Sequence, residues 1–295
     1  MSCKKESKDN AQEKSFSILI EHSKDILNYN KIHRNNTVEV LYVIDGEIDI
    51  IIDFMPCKIK KGDCVFINSN VYHAILCSGK SDFEFLSWSF LPEHIYAYGN
   101  DIYNVELFLW LAIKTRNTYS IINTADFPKI PKLFLKAMER FSEKKYGYEF
   151  ALHADTLSLC IDFFDNWHEE NSDFIMEISG MSISKIKNVL FNIEKNYDNL
   201  SFDEFAKNVD VLQGTFPKNF KRVTGYNVSE YIDRCRIEKA MFLLAATTKP
   251  ITDVAFSVGY SDSSYFSKRF HAYVGMSPSK FRKTNTVKAF FETAE

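Results

Sequence analysis

Residues 250–260 read Pro250-Ile251-Thr252-Asp253-Val254-Ala255-Phe256-Ser257-Val258-Gly259-Tyr260. Residues 261–271 follow as Ser261-Asp262-Ser263-Ser264-Tyr265-Phe266-Ser267-Lys268-Arg269-Phe270-His271. The first stretch predicts a short helix closed by a glycine turn. In the second, Phe266 and Phe270 stand one helical turn apart and face inward with Val254, Ala255 and Val258. Ser261 is placed to cap this second helix by accepting a backbone N–H. Ser263, Ser264, Ser267, Lys268 and, in part, Arg269 are then left outward in its N-terminal half, beside Asp262. Small polar and basic side chains on the first turns are what a helix needs to enter the major groove of DNA.

A similar pattern stands earlier in the chain. Leu200-Ser201-Phe202-Asp203-Glu204-Phe205-Ala206-Lys207-Asn208-Val209 predicts the first helix of a pair, and Phe216-Pro217-Lys218-Asn219-Phe220-Lys221-Arg222-Val223-Thr224-Gly225 the second. Between the two units, residues 228–245 predict a long helix. Its apolar stripe, Val228, Tyr231, Ile232, Cys235, Ile237, Ala240, Met241 and Leu244, is wide enough to contact both.

The rest of the chain differs in charge. The net charge is −3, but residues 182–295 are net basic and residues 1–181 net acidic, as expected of a polyanion-binding module joined to another domain. No run approaches the roughly 18 apolar residues of a membrane span. Residues 1–14 are polar and charged, unlike a signal peptide, so a cytoplasmic location is expected. The six cysteines (Cys3, Cys57, Cys64, Cys77, Cys160, Cys235) include no C-x-x-C pair. That spacing speaks against a zinc site or a disulfide framework.

Residues 15–95 read as β-structure. Val38-Glu39-Val40-Leu41-Tyr42-Val43-Ile44, then Asp45-Gly46, then Glu47-Ile48-Asp49-Ile50-Ile51-Ile52-Asp53 carries a hairpin signature. Cys64-Val65-Phe66-Ile67 and residues 83–90 predict further short strands, together a barrel or sandwich. Residues 129–145 and 147–168 predict helices. On the second, Phe150, Ala154, Leu157, Ile161, Phe164 and Trp167 form one stripe, which Leu152, Leu159 and Phe163 widen. Such width predicts burial on two sides, within the chain or against a second copy. The expected fold class is α+β multidomain: a tail (1–14), a cupin-like barrel (15–95), a helical region that is a candidate for dimerisation (96–170), a linker (171–181), an all-α domain with two helix-turn-helix units (182–283) and a second tail (284–295).

Residues 185–283 resemble the DNA-binding domain of the AraC/XylS family of bacterial regulators. The resemblance rests on Arg236-Ile237-Glu238-Lys239-Ala240, Ile251-Thr252-Asp253-Val254-Ala255, Val258-Gly259-Tyr260-Ser261-Asp262, Ser264-Tyr265-Phe266-Ser267 and Gly275-Met276-Ser277-Pro278-Ser279-Lys280-Phe281-Arg282. It implies two recognition helices entering successive major-groove segments. By position it assigns DNA contacts to Ser263, Ser264, Ser267, Lys268 and Arg269, and in the first unit to Gly214, Thr215, Lys218, Lys221 and Arg222. The first unit departs from the pattern: Leu212 stands at the expected cap, Gly214 at a contact position, Pro217 within the helix and Asn219 at a core position. Proline inside a helix costs ~3 kcal/mol. The helix avoids this by starting later, with Thr215 as cap and Pro217 in the first turn.

The β-region resembles the cupin barrel that many members of this family carry for sensing. The resemblance rests on His33, Glu39, Tyr42, Gly46, Lys61-Gly62-Asp63 and His73. It implies an effector pocket of His33, Glu39, Tyr42, His73, Phe85 and Trp88. A metal-binding cupin has a second histidine where this chain has Asn35, so no metal or other cofactor is assigned, although His33, Glu39 and His73 remain conceivable ligands. Expected partners are double-stranded DNA, RNA polymerase, a small-molecule effector and a second copy, without a membrane. Two alternatives stay open: a cupin-type metal-dependent enzyme with an appended DNA-binding domain, and a regulator acting through protein contacts alone.

Overall fold

The structure, a computed structural model, describes residues 18–23, 32–76, 83–92, 95, 110–111, 118–178, 183–198, 200 and 214–283. The strands are β1 (Ile18–His22), β2 (Val38–Asp45), β3 (Glu47–Ile52), β4 (Met55–Lys60), β5 (Asp63–Ile67), β6 (His73–Leu76), β7 (Glu84–Phe90) and β8 (Tyr119–Asn123). They form two antiparallel sheets, ordered β1-β7-β2-β5-β8 and β4-β3-β6. Leu41, Val43, Ile48, Ile50, Ile52, Ile59, Val65, Ile67, Val71, Ile75 and Phe85 make one buried cluster between them. Burying each such side chain is worth about 1.5–3 kcal/mol.

The expected hairpin through Asp45-Gly46 does not form. β2 bonds to β5 and β7, whereas β3 bonds to β4 and β6. The reason lies in β2, whose Val38 and Val40 are buried in one cluster and whose Leu41 and Val43 are buried in another. A strand apolar on both faces belongs inside a sheet, so the chain changes sheet at Gly46. The true hairpin joins β3 to β4 through Asp53 (φ 50°) and Phe54 (φ 62°). Positive φ at both central residues suits Asn or Gly, and a bulky Phe there gives the sequence no turn signal.

Two helices, α1 (Lys129–Glu143) and α2 (Tyr148–Glu170), cover the outer face of the larger sheet, close to the expected bounds. Phe134 of α1 meets Tyr42 and Trp88, with ring centroids at 5.7 and 5.3 Å. The Trp88 indole donates to Thr156 Oγ1 at 3.2 Å. On α2 the stripes exchange roles: Leu152, Leu159 and Phe163 are buried, whereas Phe150, Leu157 and Ile161 are exposed. Phe164 and Trp167 go with the buried set. The expected linker 171–181 contains a helix, α3 (Ser172–Ile178), whose Ile175 and Ile178 join the same core. Their spacing of three puts both on one face of that helix.

The remaining helices are α4 (Ser184–Asn196), α5 (Phe216–Thr224), α6 (Val228–Ala246), α7 (Ile251–Ser257), α8 (Ser263–Val274) and α9 (Pro278–Lys283). The long α6 opens on a capping box: Glu230 N–H donates to Asn227 Oδ1 at 2.9 Å, and Asn227 N–H to Glu230 Oε2 at 2.8 Å. Its Val228, Tyr231, Ile232 and Cys235 share a core with α4 and α5. Its Ile237, Ala240, Met241 and Leu244 share another with α7, α8 and α9. Of the helix expected at 200–209 only Leu200 is described; Leu212, at the expected cap of the helix that follows, and both tails lie outside the described residues. Cys57, Cys64, Cys160 and Cys235 are free thiols. Among the described residues no helix is long and apolar enough to cross a membrane.

Candidate nucleic-acid interface and barrel interior

The second unit is built on α7 and α8. Phe266 and Phe270 are fully buried against Val254, Ala255 and Val258, which turns the opposite face of α8 outward. Ser264 and Lys268 are exposed; Ser263 and Ser267 are half-buried, and Ser267 Oγ donates to the Ser263 carbonyl at 2.9 Å. The cap differs from expectation. Asp262, not Ser261, accepts the Tyr265 N–H, at 2.5 Å. A carboxylate there also meets the positive end of the helix dipole, which a hydroxyl does not. Arg269 turns sideways onto α6, where Nε and Nη2 reach Asp233 Oδ2 at 2.9 and 2.7 Å. Tyr260 Oη donates to Asp233 Oδ1 at 3.1 Å. Arg269 thus holds α8 to the central helix. Tyr265, missed from the sequence, is exposed; the period set by Phe266 and Phe270 already placed it outward.

In the first unit α5 is nine residues long against twelve for α8. It starts after Thr215, with Pro217 in the first turn and no side-chain cap. Gly214 lies at φ 59° and nothing crowds its Cβ position; glycine is there for the left-handed backbone. Thr215, Lys218 and Lys221 are exposed. Arg222 Nε pairs with Glu177 Oε1 on α3 at 2.5 Å. The two halves therefore present unequal surfaces, one with a full polar helix face and one with a shortened helix and two outward lysines.

Of the six residues expected in the effector pocket, the structure brings together His33, Glu39 and His73. Phe85 belongs to the apolar cluster between the sheets. Tyr42 and Trp88 point the other way, into the helical layer: on β2 and β7 they have the opposite parity to Glu39 and Phe85, and alternate residues of a strand face opposite sides.

The buried group has a definite protonation logic. His33 and His73 form a backbone bridge, each N–H reaching the other's carbonyl at 3.0 Å. Their rings meet edge to face at 4.3 Å. His73 Nδ1 faces the Val71 carbonyl and Nε2 faces Glu39 Oε2, both at 3.0 Å. Both neighbours offer acceptor oxygens, which favours a proton on each ring nitrogen. Ser87 Oγ donates to Glu39 Oε1 at 2.9 Å. Burial opposes both charges, but the mutual hydrogen bond and attraction outweigh it, holding Glu39 below and His73 above their ordinary pKa values. His33, Glu39 and His73 each offer one ligand atom, all within 4.8 Å of one another. His73 also gives its other N–H to a carbonyl, as metal-bound histidines do. The group therefore fits a cation in place of the Nε2 proton, despite Asn35 standing where a fourth ligand is expected.

Fold and surface together define a two-domain protein, a β-barrel joined through a helical layer to a double helix-turn-helix module. A cupin-domain family model matches residues 28–89, and a helix-turn-helix domain model matches residues 205–284. The HTH-type transcriptional activator AarP of Providencia stuartii is 35% identical over 104 residues, covering 35% of this chain and 77% of that protein. The Msm operon regulatory protein of Streptococcus mutans serotype c is 33% identical over 128 residues, 43% of this chain and 44% of that protein. This last match thus spans less than half of that relative's length. The crystal structure of ToxT from Vibrio cholerae O395 shares 16% identity, with 91% of this chain and 97% of that one covered at a TM-score of 0.39. The chain belongs to the AraC/XylS family of helix-turn-helix regulators.

Proposed function

We propose that the chain is a sequence-specific DNA-binding transcription regulator, acting in the cytoplasm, whose barrel receives the controlling signal. The observation that carries this reading is the face of α8. Ser264 and Lys268 stand outward on a helix fixed from behind by Phe266, Phe270 and the Arg269–Asp233 pair. Ser263 and Ser267 flank them. Tyr265 joins the contact surface, and Arg269 serves it by orientation rather than by touching bases. In the first unit Thr215, Lys218 and Lys221 approach the backbone phosphates. Relatives of the family are transcription regulators, so we read the chain as one too and not as an enzyme. RNA polymerase is then its partner at a promoter.

Lys268→Ala is expected to weaken binding to a selected operator by about 1–3 kcal/mol if the ammonium reaches a base edge. A binding titration at moderate salt checks it; unchanged operator affinity would show that α8 does not present this face to the groove.

A second copy is the partner we assign to the outer face of α2. Phe150, Ala154, Leu157 and Ile161 repeat there at alternating spacings of four and three, the seam of a coiled coil, and are exposed. Sedimentation of the full chain decides the point: a dimer that Leu157→Glu splits supports it, and a monomer at micromolar concentration refutes it.

A further inference from the structure

The barrel meets the DNA-binding domain through the outer face of its smaller sheet. The Tyr72 ring stacks on Phe242 of α6, with centroids 5.1 Å apart and planes 17° apart. Phe54, at the tip of the β3–β4 turn, lies 5.3 Å from Tyr72 and 6.2 Å from Phe281 of α9. The Arg34 guanidinium lies 5.2 Å over the Tyr72 ring, and its charge is felt by Tyr197, just beyond α4, and by Glu238 of α6. Tyr72 and Phe54 thus touch the central helix and α9, and Arg34 sets its charge beside the end of α4. Phe54 holds a backbone conformation that a bulky side chain adopts only where its surroundings enforce it. Here the enforcing neighbours are Tyr72 and Phe281.

The contact residues are chain neighbours of the buried group. Arg34 follows His33, and Tyr72 precedes His73. His33 and His73 are the two ends of one backbone bridge. Successive side chains of extended backbone point to opposite faces, so one pair of backbone segments carries the charged group inside and the interdomain contact outside. A shift of His33 relative to His73 moves Arg34 relative to Tyr72.

We propose that Arg34, Phe54 and Tyr72 latch the barrel onto the DNA-binding domain, and that the His33–Glu39–His73 group sets the latch through the His33–His73 bridge. The proposal rests on the regulatory reading above and supplies its route from signal to DNA-binding helices. Closed, the latch fixes the two helix-turn-helix units relative to each other. Open, it leaves their spacing to α6 and to the contact of the Gly259 turn with the segment after α4.

Hydrogen exchange of the full chain, read by mass spectrometry, tests it. Phe54→Gly suits the positive φ and preserves the turn. Amides of 238–246 and 278–283 are expected to exchange roughly tenfold faster, with β2, β5 and β7 unchanged. Unchanged protection of α6 and α9 would overturn the latch. Glu39→Gln leaves Phe54 in place and is expected to change protection on both sides of the contact. Ser87→Ala, which removes the hydroxyl bonded to Glu39, is expected to do the same to a smaller degree should the first variant fail to fold. No response from a folded variant would overturn the control by the buried group. A wild-type chain that binds no duplex DNA at low salt, while its exchange responds as stated, would contradict the regulatory reading and not the latch.

Discussion

Gly259→Ala is expected to destabilise the DNA-binding domain by about 3 kcal/mol or more, combining a left-handed backbone with a clash that cannot relax. Gly259 sits at φ 93°, and a Cβ there would lie 2.4 Å from the Asp198 carbonyl oxygen and 3.0 Å from Arg236 Nε. The carbonyl cannot swing away, because the same segment is held by Arg236, whose guanidinium donates to the carbonyls of Tyr197 (2.9 Å) and Leu200 (2.8 Å). The glycine turn of the second unit is therefore pressed directly against the end of α4 in the first. Urea unfolding of the full chain measures the effect, and a loss below about 1 kcal/mol would show that this close approach is not made in solution.

Glu238→Ala is expected to cost about 3–5 kcal/mol, since removing one partner of a buried ion pair strands the other charge. Glu238 is 4% exposed, and its Oε1 accepts from Arg234 Nε at 2.7 Å. Arg234 also donates to Tyr226 Oη at 3.1 Å and lies over the rings of Tyr226 and Tyr273, at 5.4 and 5.9 Å. Burial disfavours the guanidinium charge, but Glu238 above all, with the phenol groups of Tyr273 and Tyr226, more than offsets that. Without the carboxylate the rings alone face a buried cation. Glu238→Gln keeps an acceptor in place and is expected to lose less. Thermal and urea unfolding at neutral pH check both variants; two variants of equal, wild-type stability would contradict the account.

The α-helical half was the more legible part of the sequence. Its information is local: Phe266 and Phe270 fix an inward face, Gly259 a turn, and the stripe of α6 a helix that touches two cores. What it hid were choices between near neighbours. Asp262 rather than Ser261 caps α8, and Arg269 bonds to Asp233, a partner 36 residues away in the chain that no local period reveals. The barrel was legible as β-structure but not in its pairing. β2 and β3 are contiguous and turn-linked, yet they belong to different sheets, because strand pairing is set by which faces must be buried and not by proximity in sequence. Parity along β2 and β7 places Tyr42 and Trp88 on the helix side of the sheet, so of the three aromatics expected as pocket walls only Phe85 faces the barrel interior. On α2 the single wide stripe splits: Leu152, Leu159 and Phe163 go with Phe164 and Trp167 into the core while Phe150, Leu157 and Ile161 stay exposed, a choice that only packing against the sheet decides.

The central claim is that the second unit reads bases while the first, with Gly214 in a left-handed turn and Pro217 in the opening turn of α5, chiefly contacts phosphates. A saturation scan of one operator by binding assay tests this most directly. Base substitutions under α8 are expected to cost about 1–3 kcal/mol each, and those under α5 a few tenths. Lys218 and Lys221 remain available for phosphates, so Lys221→Ala is expected to weaken binding to all sequences alike and to flatten its salt dependence. Comparable base-specific losses in both half-sites would contradict the account, because α5 would then be reading sequence despite its glycine and proline.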